Sequence, residues 1–203
     1  MESLNLNYLT ADEIISLNSI TGGGRLQGID QRRGMLYFTK ERNEKLLHCL
    51  EEKKITTDGY RLTRYGIYLT HLIRQYRESD TYCRLNHETI ALTEQGRTII
   101  VQPKDKGYVI AEIQRELLLH RIMKAYPSLW EGTEVLDRAE YLFVRKWEKG
   151  AEQKHMAYYW NGAGHYMCDM NTKERKAVTG KEIRKELVKL LEMEEETCQK
   201  QRT

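Results

Sequence analysis

Glu112-Ile113-Gln114-Arg115-Glu116-Leu117 and Glu182-Ile183-Arg184-Lys185-Glu186-Leu187 stand 70 residues apart in a chain of 203 and are near copies of one another. The first closes a stretch, Glu88 to Tyr126, that reads as strand, turn, strand, turn, short strand and helix. The second also follows strands and opens a helix. Upstream of each lies a glycine turn, Gln95-Gly96-Arg97 in one case and Asn161-Gly162-Ala163-Gly164 in the other, nearly in step with the words downstream. A repeat of this length points to two similar supersecondary units packed together. The alternative is two unrelated amphipathic helices that share a pattern of charge and leucine. The repeat predicts an α+β fold, a quasi-two-fold arrangement of two antiparallel sheet-plus-helix units. These units are 81–127 and 140–193, preceded by an N-terminal helical part, 9–77, within a single domain, 1–203.

Composition narrows the class. With 40% apolar and 31% charged residues the chain has enough apolar mass for a core and a well-charged surface. The 33 basic and 30 acidic residues are interspersed, so the net charge of +3 permits nucleic acid without indicating it. Only two prolines occur, and no long Pro, Gly or Ser tract suggests a linker. Cys49, Cys83, Cys168 and Cys198 form no Cys-x-x-Cys pair, which fits reduced thiols in a cytoplasm. No apolar run reaches membrane-span length, and the start lacks the basic-then-apolar layout of a signal peptide. A cytoplasmic location is therefore expected.

In chain order, Leu4 to Leu9 predicts a short strand or extended arm, and Thr10-Ala11-Asp12-Glu13 a capping box opening a helix to Ile20. Thr21-Gly22-Gly23-Gly24-Arg25-Leu26-Gln27-Gly28 has the glycines of a phosphate loop but not the Gly-Lys-Ser/Thr ending, and it follows a helix; it reads as a mobile surface loop. Thr39 caps a second helix carrying Leu46, Leu47 and Leu50, and Ile55 to Gly59 is a turn. Tyr65, Tyr68, Leu69, Leu72, Ile73 and Tyr76 then form one continuous helical face. The strand segments Ile90–Leu92, Thr98–Val101 and Tyr108–Ile110 lead into a helix from Ala111 to Tyr126. After a short helix near Thr133 to Ala139 come strands at Tyr141–Glu148, Met156–Trp160 and His165–Met170, a helix from Lys181, and a polar tail after Glu194.

Helices followed by strands also fit a winged-helix DNA-binding regulator, with Arg61, Arg64, Arg74 and Arg77 on the second helix. That helix shows no run of base-reading Asn, Gln and Arg on one face, and Glu78 and Asp80 close it. Cys83 with His87 and His165 with Cys168 could supply a zinc set, yet neither pair has knuckle spacing and buried cysteine is ordinarily a small core residue. No Gly-x-Ser-x-Gly elbow occurs and no motif surrounds any of the six histidines. No catalytic residue, cofactor or metal is expected, and the chain reads as something other than an enzyme.

What stands out is the alternation of aromatic and methionine residues on the second set of strands. In Tyr141 to Glu148, Tyr141, Phe143, Arg145 and Trp147 alternate with Leu142, Val144, Lys146 and Glu148, and Met156, Tyr158 and Trp160 share a face. Such rings either fill the core or offer contact area to a partner at low entropic cost.

The chain resembles the EspG family of cytoplasmic chaperones of type VII secretion, and more closely its Gram-positive relatives. The likeness rests on the opening helix Leu9-Thr10-Ala11-Asp12-Glu13-Ile14, the glycine-containing loop, and the helix start Thr39-Lys40-Glu41-Arg42. It continues through Leu46 to Gly59 and the paired sheet-plus-helix units closed by Glu112 to Tyr126 and Lys181 to Met193. Tyr158, Tyr159 and Trp160 before a glycine turn and a terminal amphipathic helix add to it. The chain is shorter than the mycobacterial members and lacks their proline-rich early loop. The resemblance implies a partner protein: the tip of a helical-hairpin secretion substrate, kept soluble before export by helix-in-groove recognition. The expected contact surface is Phe143, Trp147, Met156, Tyr158, Trp160 and Met167, with polar help from Arg145 and Lys154.

Overall fold

Thr10 opens the first helix as its sequence predicts. Its hydroxyl accepts from Glu13 N–H at 3.3 Å, and the Glu13 carboxylate accepts from Thr10 N–H at 2.7 Å. The computed structural model describes residues 8–31, 39–58, 60–93, 96–131 and 140–193. The arm before Tyr8, Gly59, Gln95, the helix expected near Thr133 to Ala139 and the tail with Cys198 lie outside them. The fold is α+β, and the chain divides into two compact units. One comprises 1–79 with Ile99–Glu112, the other Asp80–Thr98 with 113–203. The division runs through two strands of the first repeat, whereas the internal units read from sequence were 81–127 and 140–193.

The first unit carries β1 (Tyr8–Leu9), α1 (Ala11–Ile20), α2 (Lys40–Glu52), the hairpin β2 (Thr56–Thr57) and β3 (Arg61–Leu62), and α3 (Arg64–Glu78). β1 pairs antiparallel with the later strand β7 (Gly107–Gln114), Leu9 opposite Tyr108. Glu13 is buried, and Lys53 Nζ reaches its carboxylate at 2.7 Å and Tyr8 O at 3.0 Å, so the buried charge is both paired and hydrogen-bonded. α3 buries Gly66, Leu69, Thr70, Leu72, Ile73 and Tyr76, whereas Tyr68 is exposed. The stripe turns toward Gly66 because Ile55 O sits where a Cβ would be, at 2.1 Å. The loop 21–28 is tied down rather than loose. Arg77 Nη1 donates to Asn18 Oδ1, Thr21 Oγ1 and Gly23 O, Tyr76 OH to Gln27 O, and Leu26 is buried.

The second unit carries β4 (Thr81–Leu85), β5 (Glu88–Leu92), α4 (Arg115–Ala125), α5 (Ser128–Glu131), β8 (Glu140–Glu148), β9 (Ala151–Trp160), β10 (His165–Asp169), β11 (Arg175–Val178) and α6 (Gly180–Leu190). Its strands pair antiparallel in the order β5-β4-β8-β9-β10-β11. α6 opens with a second capping box, Thr179 with Glu182, and buries Ile183, Leu187, Val188 and Leu190. Its side chains reach one face of this sheet, where Lys154 Nζ lies 2.5 Å from Glu186 Oε2 and Cys83 Sγ lies 3.7 Å from Leu190 O.

Four strands and a helix occur twice in chain order, β4, β5, β6 (Arg97–Lys104), β7 and α4, then β8 to β11 and α6. The glycine turns Gly96 and Gly162, both at positive φ, fall between the second and third strand of each run and are 66 residues apart. The helix starts Arg115 and Gly180 are 65 apart. The copied words, at 112 and 182, are out of phase with this repeat: Glu112 to Gln114 still belong to β7, and Leu117 is exposed, whereas Glu182 to Leu187 lie wholly in α6. The helix expected from Ala111 therefore begins at Arg115 and buries Leu118, Leu119 and Ile122.

Candidate functional site

Two-residue turns of the Lys149-Gly150 kind, with φ of +48° and +80°, set the twist of a tight hairpin, and here they place Glu148 opposite Ala151 and Trp147 opposite Glu152. Beyond that point the register slips. Lys146 faces Lys154, so Gln153 is an extra residue on β9, a bulge. From there Arg145 faces His155, Phe143 faces Ala157 and Tyr141 faces Tyr159. Residues directly opposite share a face of the sheet. One face thus carries Tyr141, Phe143, Arg145, Trp147, His155 and Tyr159, and the other Leu142, Val144, Lys146, Lys154, Met156 and Tyr158.

This pairing separates the expected contact residues. Phe143, Arg145 and Trp147 stand together on the first face. Lys154, Met156, Tyr158, Trp160 and Met167 stand on the second, the face that α6 reaches: Met156 and Tyr158 are buried, Lys154 is held by Glu186, and Met167 borders a cleft lined by α6 residues Ile183 and Glu186. Trp160 packs tilted against His165, its register partner on β10, at 4.7 Å between ring centroids. Burial lifts the Tyr158 phenol far above its usual range, with the Glu186 charge adding to the effect.

On the first face the rings form a ladder. Phe143 and Tyr141 stack along β8 at 6.4 Å, Tyr141 and Tyr159 across β8 and β9 at 5.4 Å, and Tyr159 and Tyr166 across β9 and β10 at 5.4 Å, with interplanar angles of 11° to 24°. Arg175 lies over the last two rings, its guanidinium 3.8 Å from the Tyr166 centroid and 5.3 Å from that of Tyr159. At the other end Tyr141 and Phe143 are 46% and 44% exposed, so a contiguous aromatic surface meets solvent. Beside Phe143 lies a concavity of about 220 Å³ lined by Arg84, Asn86, Phe143, Val144, Arg145 and His155. Tyr141, Tyr159, Tyr166, Arg84, His155 and Arg175 were missing from the surface expected from sequence.

The arginines named for DNA contact are in part committed elsewhere: Arg74 Nε donates to Glu78 at 3.0 Å, and Arg77 to the loop 18–23. Cys83 is buried beside Leu190 O, and His165 Nε2 lies 2.9 Å from Ser128 O. Among the described residues no three His, Cys, Asp or Glu side chains cluster as metal ligands, and no helix is long and apolar enough to cross a membrane.

Fold and face together define an α+β protein with an open aromatic sheet surface. The chain belongs to the family described as domain of unknown function DUF5081, whose model matches residues 3–145 of the 203. No curated protein matches it. The matched span includes Tyr141 and Phe143 and ends before Tyr159, Tyr166 and Arg175.

Proposed function

We propose that this chain is a protein-binding adaptor that holds a helical partner against the aromatic face of β8, β9 and β10. The observation that carries this reading is the ring ladder from Phe143 to Tyr166, exposed at Tyr141 and Phe143. Rings 5.4 Å apart and nearly parallel form a continuous aromatic strip across β8, β9 and β10. Such a strip offers apolar contact area to the Leu, Ile or Met side chains of an amphipathic helix. Bases would need open ring faces to stack on. Resemblance to the EspG-type chaperones supplies the particular form of the proposal: a cytoplasmic chaperone whose cargo is a helical-hairpin substrate of type VII secretion, held without covalent chemistry until export.

The direct test is calorimetry with a purified helical-hairpin secretion substrate, comparing wild type with Tyr141→Ser/Tyr159→Ser. Binding at micromolar concentration that the double variant loses, with its circular dichroism unchanged, supports the reading. Equal binding by the folded double variant sinks it.

A further inference from the structure

We infer that the concavity beside Phe143 anchors a carboxylate carried by the partner, an inference that rests on the docking role just proposed. β4, β8 and β9 set Arg84, Arg145 and His155 in one row across the sheet: Arg84 is the register partner of Arg145, and Arg145 that of His155. Like charges directly opposite one another are unfavourable in a sheet. Glu152 answers part of this cost, its Oε2 3.1 Å from Arg145 Nε. Arg145 Nη2 also lies 3.2 Å from His155 Nδ1. Glu152 Oε1 lies 3.9 Å from the same nitrogen. Arg84 donates its Nε–H to Asn86 O at 3.1 Å and meets no carboxylate among the described residues.

Among the described residues one guanidinium in the row is thus left without a counter-charge, and it lines the same recess as Phe143. Asn86 contributes shape rather than donors, because its amide is spent on Tyr126 OH, Tyr141 O and Phe143 N–H. A recess lined by both a guanidinium and an aromatic ring fits an Asp or Glu side chain, with its apolar stem against the ring and its carboxylate on Arg84. On a helix, an apolar residue one turn away from that carboxylate would reach the ladder at Tyr141 and Tyr159. The partner segment is therefore an acidic amphipathic helix. A nucleic acid fits less well, since Arg175 already lies over the Tyr166 and Tyr159 rings.

The test uses the full chain and three synthetic stapled helices that share a leucine stripe and differ only in a neighbouring row of Glu, Gln or Lys. Each is titrated into wild type, Arg84→Gln and Tyr159→Ala by fluorescence anisotropy at two salt concentrations. The Glu helix should bind wild type about tenfold tighter than the Gln helix, as expected for a charge-assisted hydrogen bond. That advantage should shrink with salt and vanish in Arg84→Gln, whose side chain is exposed, while Tyr159→Ala weakens Glu and Gln helices alike. Equal affinity for Glu and Gln helices, or an advantage that survives Arg84→Gln, overturns the anchor and leaves the docking reading standing. Failure of every helix to bind, or no effect of Tyr159→Ala, overturns both. Displacement of the Glu helix by an oligothymidylate overturns the anchor in favour of nucleic acid.

Discussion

Tyr141 and Tyr159 are register partners with rings stacked 5.4 Å apart at 22°, and they meet because Gln153 is one residue too many. Were Gln153 paired in the ladder opposite Lys146, the Lys149-Gly150 turn would carry its register straight up the hairpin. Tyr141 would then face Tyr158, Phe143 would face Met156, and the aromatic face would comprise the residues that the sequence grouped together. A one-residue slip moves every later side chain to the other face.

Deleting Gln153 should leave the pairing intact, because it removes the one bulged residue and keeps Glu152 opposite Trp147 and Lys154 opposite Lys146. A residue inserted after Lys154, inside the paired stretch, instead forces β9 either to expose Met156 and Tyr158 or to break its pairing, and urea unfolding should show a loss of about 3 kcal/mol or more, in the range of severe core disruption. Gln153→Ala, which keeps the residue count, should change stability by less than about 0.5 kcal/mol.

Tyr158→Phe should stabilise the protein. The Tyr158 hydroxyl is buried and finds no hydrogen-bond partner among the described residues, so the fold carries its desolvation cost. Removing it should raise stability by about 1 kcal/mol, read from the urea midpoint. A loss of stability instead would mean that the hydroxyl has a partner.

The same register explains how much could be read from the sequence. The α+β class, the capping box at Thr10, the glycine turns and the strict alternation of β8 follow from local chemistry, and each stands in the structure. Pairing across strands is not local. The alternation of β9 shows that Met156, Tyr158 and Trp160 share a face, but not that this face lies beneath α6, because nothing in Glu152-Gln153-Lys154 announces a bulge. Arg84 and His155 were missed for the same reason: their company with Arg145 exists only through the register of three strands. The copied hexapeptides drew attention to a repeat whose structural phase the turns Gly96 and Gly162 mark better.

Gly66→Ala should weaken the first unit. A Cβ there would stand 2.1 Å from Ile55 O and 3.1 Å from Ile55 C, backbone atoms that cannot swing aside. The expected cost is about 3 kcal/mol, at the upper end for overpacking. Gly164→Ala is the control, its nearest neighbour lying at an ordinary 3.6 Å, and it should be close to neutral by the same urea measurement.

Alkaline pH should destabilise the second unit through Cys83 and Lys146. Burial is the main cause that pushes the Cys83 thiol from its ordinary 9.0 to about 12. The folded state thus keeps a proton that the unfolded state gives up, and stability falls as pH rises from about 9 toward 12. For Lys146 burial acts to lower the pKa, but hydrogen bonds to Glu148 and Glu192 outweigh it and the net shift is upward. Its contribution is complete below the unfolded value of about 10.4 and is lost as pH passes the raised folded value. Urea midpoints between pH 8 and 10.5 should fall for wild type and fall less for Cys83→Ala. In a Cys198→Ser background at pH 8, maleimide should label exposed Cys49 rapidly and buried Cys83 only on unfolding.

Most directly, the account is tested by a photo-crosslinker placed at Phe143 on the ladder and, separately, at Lys185 on α6, in cells that make the full chain. The account predicts a nuclease-resistant crosslink from Phe143 to one helical protein, abolished by Tyr159→Ala, and none to that protein from Lys185. A crosslink from Lys185 with none from Phe143, or one from Phe143 that Tyr159→Ala leaves intact, would contradict it.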